Sequence, residues 1–130
     1  MTQGISMLTL VVRDYDEAIA YYTGVLGFDL IDDTPMSATK RWVVVAPHPA
    51  RGARLLLAKA TNERQLERVG DQTGGRVFLF LDVDDFDAVY ARYSAAGVRF
   101  IETPRQEAYG KVVVFQDLYG NLWDMVERRQ

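Results

Sequence analysis

The sequence predicts an α+β fold built from two tandem βαβββ modules, and three observations lead to this prediction. The 130-residue chain has 48% hydrophobic and 25% charged residues, which is the balance of one compact globular domain. The chain repeats itself with a shift of 71 residues, as from Met7 to Phe78. Each copy of the repeat then shows an alternating segment, a helical segment and three further strand candidates in the same order.

The repeat is clearest where MLTLVVRDYDEAIAYY, starting at Met7, aligns with FLFLDVDDFDAVYARY, starting at Phe78. The same shift aligns Lys40 with Lys111, so the similarity extends beyond this segment. Two copies of about half the chain length indicate a duplication and not a solenoid. Seven of the 16 aligned positions are identical: Leu8/Leu79, Leu10/Leu81, Val12/Val83, Asp14/Asp85, Asp16/Asp87, Ala20/Ala91 and Tyr22/Tyr93.

Each module opens with a strand that is followed at once by a helix. The apolar alternation in LTLVV and in LFLDV predicts strands with one face against a core. Asp14 and Asp85 then stand at N-cap positions, where a carboxylate accepts backbone N–H groups that a helix leaves unpaired. Gly27 and Gly97 are placed to end the two helices.

Three short strand candidates follow each helix. They are FDLIDD, RWVVVAP and RLLLAKA in the first module, and VRFIETP, KVVVFQD and LWDMVE in the second. The predicted organisation is a single domain, 1–130, with module one at about 5–60, a polar connection at 61–75 and module two at about 76–128. Neither half is expected to be stable alone, because so short a segment buries a marginal core and leaves strand edges unpaired.

Composition excludes several classes of function. A net charge of −3 gives no broad basic surface, which disfavours nucleic acid as a partner. The absence of cysteine excludes disulfides, thiolate nucleophiles and sulfur-ligated metal sites. The sequence shows neither a secretory signal nor an apolar run of membrane-spanning length, so we expect a cytoplasmic protein with no membrane partner.

The paired βαβββ modules, the opening VVRDYDEAIAYYTGVLGF and the closing DLYGNLWDMVE resemble the vicinal oxygen chelate superfamily. This superfamily includes glyoxalase I, extradiol dioxygenases, fosfomycin-resistance enzymes and bleomycin-resistance proteins. The resemblance covers nearly the whole chain and implies a glyoxalase/bleomycin-resistance fold, in which two curved mixed sheets form a cup with the helices outside. It also implies that the chain forms a homodimer, since members commonly dimerise.

The resemblance further implies four metal-ligand slots, one in the first and one in the last strand of each module. In this sequence the slots fall on Met7 and Leu56 in the first module, and on Phe78 and Asp124 in the second. A catalytic metal requires about three or four oxygen or nitrogen ligands, and three of these residues are apolar. We therefore expect no metal and no other cofactor. His48, the only histidine, lies in APHPARG and is expected in a solvated loop.

Strand alternation predicts which residues line the cup. The lining is apolar and partly aromatic with one carboxylate, which suits a small hydrophobic or planar ligand that carries a donor or a positive charge. Two alternatives stay open: in one the phenylalanines fill the cup as core, and in the other Asp124 is hydrogen-bonded to Thr9, a tyrosine hydroxyl or water. The predicted ligand pocket is Met7, Thr9, Leu56, Phe78, Phe80, Leu122 and Asp124.

Polar residues are also candidates for the rim of the cup, and the face that Trp42 uses stays ambiguous because RWVVVA does not alternate. Tyr22 and Tyr93 are instead interpreted as core residues. The rim candidates are Arg41, Trp42, Lys59, Arg76, Tyr109, Lys111 and Gln116.

Three functions compete at this point. The first is metal-independent binding of a small hydrophobic or cationic molecule, as in bleomycin-resistance proteins. The second is an enzyme, a lyase, isomerase or dioxygenase that is metal-dependent or uses Asp124 as a catalytic acid or base. The third is an interaction domain whose cup is closed by a partner or by a second copy of the chain.

Overall fold

The computed structural model describes residues 1–129 and separates into two compact units, Met1–Val69 and the chain from Gly70 onward. The first unit contains a four-stranded sheet and the second a five-stranded sheet. Parallel and antiparallel pairs occur together in each sheet, and helices are few. The predicted α+β fold class is therefore confirmed.

The first unit runs in the order strand, helix, three strands and a further helix. Its sheet has the order β1-β4-β3-β2, in which β1 and β4 are parallel and the other pairs antiparallel. The elements are β1 (Met7–Val12), α1 (Tyr15–Ile19), a π-helical segment (Ala20–Val25), β2 (Asp29–Pro35), β3 (Arg41–Ala46), β4 (Arg54–Lys59) and α2 (Glu63–Arg68).

The first helix begins as the sequence predicts. Asp14 is its N-cap, and the carboxylate accepts the backbone N–H of Glu17 at 2.9 Å. After Ile19 the helix widens into the π-helical segment, which the apolar pattern does not distinguish from an α-helix. Gly27 then turns the chain with a φ of 73°, a conformation that glycine adopts without steric cost.

The two faces of the first sheet are distinguished by strand β3. Arg41 points to the helix side, where its Nη1 lies 2.8 Å from Asp16 in α1, and Val43 and Val45 follow on the same face and are buried. Trp42 and Val44 therefore lie on the face opposite α1. This settles the ambiguity that the sequence left for Trp42.

The second unit repeats the order of the first sheet and adds one short strand. Its sheet has the order β5-β9-β8-β6, and a further short strand, β7, also pairs with β8. Strands β5 and β9 are parallel, and the pairs that β8 forms are antiparallel. The elements are β5 (Val77–Asp82), α3 (Phe86–Ala95), β6 (Arg99–Phe100), β7 (Arg105–Glu107), β8 (Gly110–Gln116) and β9 (Leu122–Arg128).

The segment VRFIETP, predicted as one strand, is instead interrupted after two residues. Pro104 has no backbone N–H and restricts the backbone of Thr103, so the strand cannot continue into it. The carboxylate of Glu102 takes the place of a backbone partner for β8, since its Oε2 accepts the backbone N–H of Val114 at 3.2 Å. Strand pairing with β8 then resumes at Arg105.

Helix α3 packs on the second sheet through aromatic contacts. Asp85 is the N-cap, as predicted, and accepts the backbone N–H of Ala88 at 3.2 Å. The ring of Tyr93 meets that of Phe115 edge to face at 5.8 Å, and Phe115 stacks on Trp123 at 5.7 Å. Tyr93 is buried, like its repeat partner Tyr22 in the first unit, so the prediction that both tyrosines are core residues is confirmed.

Among the described residues, the helices are all too short and too polar to cross a bilayer.

Candidate functional site

One face of the second sheet carries the carboxylate that the sequence singles out. Asp124 on β9 pairs in register with Phe80 on β5 and with Val114 on β8, so these three side chains share a face. Leu122 lies two residues before Asp124 and points to the same side. Trp123 and Met125 alternate to the helix side and are buried there. We call Phe80, Val114, Leu122 and Asp124 the Asp124 face.

The carboxylate of Asp124 is not satisfied within the protein. Its Oδ1 atom is buried, and no donor among the described residues reaches it. Buried polar atoms without a hydrogen-bond partner are uncommon in folded proteins and are costly when the group is charged. This oxygen is therefore available to a donor or cation from outside the chain.

Charges beside Asp124 do not neutralise it. Burial raises the pKa of Asp124, the nearby guanidinium of Arg105 lowers it in part, and the carboxylate of Glu102 raises it. Arg105 is already held by two acids, since its Nε lies 2.8 Å from Glu102 and its Nη1 lies 2.7 Å from Glu107. The guanidinium that acts on Asp124 is therefore shared with two other carboxylates.

A buried aspartate that the sequence reasoning missed positions the start of β9. Asp117 is only 5% exposed, and its Oδ1 accepts the backbone N–H groups of Tyr119, Gly120 and Asn121 at 3.0 to 3.1 Å. Its Oδ2 accepts the side-chain Nδ2 of Asn121 at 3.0 Å and the indole Nε1 of Trp123 at 3.1 Å. The signal was present in DLYGN, because an aspartate before a glycine-containing turn commonly accepts the N–H groups of that turn.

The other predicted pocket residues in the second unit differ in their exposure and in their position in the strand. Phe80 is 62% exposed, so it does not fill a core within this unit, whereas Leu122 is half-buried. Phe78 sits at a shift in register between Val77 and Leu79. The strict alternation that was used to place Phe78 beside Phe80 therefore does not hold at this point of β5.

In the first unit, the predicted pocket residues lie on the sheet face opposite α1. Thr9 pairs in register with Leu56, and Val44 pairs with Leu56 from the other side. Thr9 is exposed, while Leu56 and Met7 are half-buried. Trp42 shares this face through its alternation with Val44 and is 36% exposed.

The residues in the family's metal-ligand slots do not fit a catalytic metal. Met7, Leu56 and Phe78 offer no oxygen or nitrogen in their side chains, which leaves the carboxylate of Asp124. Residues 1–129 contain no group of three or more His, Cys, Asp or Glu side chains that could hold a metal ion. His48 lies in an exposed loop, as predicted, where its Nδ1 accepts the backbone N–H of Ala50 at 3.0 Å.

Two of the rim candidates are engaged on the helix sides of their sheets. Arg41 bridges Asp16 and Asp33, with both nitrogen–oxygen distances at 2.8 Å. Lys111 lies 2.8 Å from Asp87 in α3, and its ammonium sits over a phenylalanine ring of that helix. In both strands the odd-numbered residues face the helix and the even-numbered residues face the opposite side of the sheet. Arg41 and Lys111 therefore point away from the predicted ligand-binding face.

Comparisons with known proteins agree with this architecture. The family model described as Glyoxalase/Bleomycin resistance protein/Dioxygenase superfamily matches residues 4–125. An uncharacterized protein of Shewanella frigidimarina (strain NCIMB 400) is 51% identical over 128 residues, covering 98% of this chain and 95% of the relative.

Two solved structures are also similar over nearly their whole length. UcmS2 superposes with a TM-score of 0.83 at 28% identity, covering 98% of this chain and 99% of the other. TnmS3, described as an antibiotic binding protein from Streptomyces sp. CB03234, superposes with a TM-score of 0.78 at 26% identity, covering 98% of both chains.

Proposed function

Because the chain belongs to the Glyoxalase/Bleomycin resistance protein/Dioxygenase superfamily, we propose that it binds a small hydrophobic or cationic molecule without the help of a metal. The binding would resemble that of bleomycin-resistance proteins. The similarity to TnmS3, an antibiotic binding protein, supports a small-molecule ligand. The proposed site has the Asp124 face as its polar centre and includes Phe78, Phe80, Leu122 and Asp124 of the second unit. For Met7, Thr9 and Leu56 of the first unit, a role in ligand binding stays a prediction from the sequence.

The unsatisfied oxygen of Asp124 carries this proposal. A buried carboxylate oxygen without a donor makes the free protein less stable, and natural proteins retain such groups chiefly where function needs them. A ligand that brings an ammonium or an N–H group supplies the missing partner. The exposed ring of Phe80 beside it offers a surface on which an aromatic ligand stacks or a cation rests.

The test is a melting-temperature and calorimetry series on purified protein. The probes are pairs of planar aromatic compounds matched in size, of which one member carries a protonated amine and the other is neutral. We expect the cationic member to bind more tightly, and a probe at 100 times its Kd raises the free energy of unfolding by about 2.7 kcal/mol. Asp124→Asn should reduce this preference at least about tenfold, since a charge-assisted contact is worth about 1.5–3 kcal/mol.

A matched variant controls for net charge. Asp84→Asn removes one negative charge from the connection between β5 and α3, where Asp84 is exposed. It should leave the preference for cationic probes unchanged. Equal binding of cationic and neutral probes by the wild type, or an equal loss in both variants, contradicts the proposed role of Asp124.

The raised pKa of Asp124 supports a second candidate, an enzyme in which this residue acts as acid or base. In that case ligands are turned over as well as bound, with the chemistry of a lyase, isomerase or dioxygenase. Mass spectrometry of each bound probe after long incubation distinguishes the two functions. Products that form with the wild type and not with Asp124→Asn would establish catalysis, whereas intact probes support binding alone.

The homodimer that the family resemblance implies remains part of the proposal. Strands β1 and β2 lie at the edges of the first sheet, and edge strands are common sites of pairing between chains. Sedimentation at micromolar concentrations, with and without a bound probe, measures the oligomeric state. A single species with the mass of one chain under both conditions would exclude the dimer.

A further inference from the structure

The second unit contains a cavity whose lining includes only Leu122 of the Asp124 face. The segment from Gly70 to Arg76, the turn from Gly120 to Leu122 and the side of Gln116 enclose about 200 Å³. We call it the loop cavity. It is smaller than the ~300–1,000 Å³ of sites for drug-sized ligands, so it suits a small molecule or one end of a larger one.

The walls of the loop cavity are fixed before any ligand arrives. Gly70 has a φ of 78°, and a Cβ atom placed on it would overlap the carbonyl oxygen of Tyr119. The segment is therefore packed directly on the 117–121 turn, which the carboxylate of Asp117 holds through its backbone N–H groups. A cavity with a preformed shape loses less conformational entropy on binding than a mobile loop does.

Gln116 is part of the lining of this cavity, and its side-chain amide has a donor group to offer. Its Oε1 accepts a hydrogen bond from Nη1 of Arg99 at 3.2 Å, and a guanidinium can only donate, so the amide orientation is determined. The Nε2 atom of Gln116 therefore occupies the other position of the amide. No acceptor for it is found among residues 1–129.

Arg76 adds a positive charge to the same lining. Its guanidinium is exposed and forms no ion pair with any other described residue, whereas Asp71, the acid of this lining, already has a partner within the chain. Arg76 is therefore the charged group of this lining that has no ion-pair partner among the described residues.

We propose that the loop cavity binds a small carboxylate, or the carboxylate end of a larger ligand, through Arg76 and the amide of Gln116. A guanidinium matches the two oxygens of a carboxylate in a bidentate pair, which a neutral amide ligand cannot reproduce. This site uses neither Asp124 nor Phe80 and shares only Leu122 with the Asp124 face, so it is proposed separately from the function above.

Benzoate and benzamide are the probes for this site, because they share a shape and differ in charge. Titrations of ¹⁵N-labelled protein at constant ionic strength, set with sodium chloride, follow the amide resonances of residues 70–76 and 120–122. We expect benzoate to shift them saturably and benzamide to bind at least about tenfold more weakly. Arg76→Gln should weaken benzoate about tenfold, while Arg64→Gln, which removes an exposed arginine of α2, should not.

Three outcomes would overturn the proposal: no saturable shift with benzoate, acetate or succinate, equal affinities for benzoate and benzamide, or equal affinities in Arg76→Gln and Arg64→Gln. The Asp124→Asn variant separates the two sites. It should respond to benzoate like the wild type even where it has lost its preference for aromatic cations. A loss of the benzoate response in Asp124→Asn would show that the loop cavity is not independent.

Discussion

Replacing Asp117 tests whether one buried carboxylate holds the start of β9 in place. In Asp117→Ala, the buried side-chain donors of Asn121 and Trp123 lose their common acceptor, the Oδ2 atom. A buried donor left without a partner costs about 1–3 kcal/mol, so the two together cost about 2–6 kcal/mol. The turn loses its Oδ1 acceptor as well. Set against a total stability of about 5–15 kcal/mol, this variant is expected to be close to unfolding.

Urea unfolding followed by circular dichroism measures the effect, with the free energy obtained by linear extrapolation. Asp117→Asn keeps one carboxamide oxygen and should lose about half as much stability as Asp117→Ala. Asp84→Ala serves as the control, because Asp84 is an exposed aspartate of the same unit and should change the free energy by less than about 0.5 kcal/mol. A loss below about 1 kcal/mol in Asp117→Ala, or equal losses in Asp117→Ala and Asp84→Ala, would refute the reasoning.

Three further predictions concern other positions. Burial raises the pKa of Asp124, so its contribution to stability is complete below the unfolded pKa of ~3.9 and is lost as the pH rises through the folded pKa. The melting temperature of Asp124→Asn relative to the wild type should therefore rise between about pH 4 and the folded pKa and then level off, and a difference that stays the same from about pH 3 upward would contradict this. Gly110→Ala should lower the free energy of unfolding by more than about 2 kcal/mol, because its Cβ would overlap the carbonyl of Glu127. Gly52→Ala has open space around the new Cβ and should lower it by about 1–2 kcal/mol. Urea titrations of both variants measure the difference. Asp85→Ala should cost about 0.5–2 kcal/mol by removing an N-cap, and calorimetry that shows no change would argue against the cap.

The sequence was sufficient to predict the fold because its signals are local and occur twice. Asp14 and Asp85 mark two helix starts by the same capping chemistry, and the structure shows both caps. Trp123 and Met125 flank Asp124 in the sequence, so strand alternation puts them on the helix side, where they are buried. These inferences need only the period of a strand and the hydrogen bonds of a helix end.

The features that could not be predicted depend on partners far away in the sequence. Nothing near Glu102 indicates that its side chain replaces a strand partner for Val114. Arg41 looks like a rim residue until its pairs with Asp16 and Asp33 are seen, because RWVVVA carries no alternation to assign a face. Residue order alone cannot supply either set of contacts.

The missing hydrogen-bond partner of Asp124 is a third feature of this kind. Its absence becomes visible only when every donor around the carboxylate has been placed. The residue types therefore predicted the chemistry of the proposed site. They did not predict that the Asp124 carboxylate lacks a hydrogen-bond donor.

The tight packing of Gly70 against the Tyr119 carbonyl has a practical consequence for protein engineering. The second unit begins at Gly70, and its first residue is already part of its packing. A split reporter, a circular permutant or a domain fusion made from this chain should leave Gly70 with the C-terminal fragment. Fragments that begin later would lack one wall of the loop cavity.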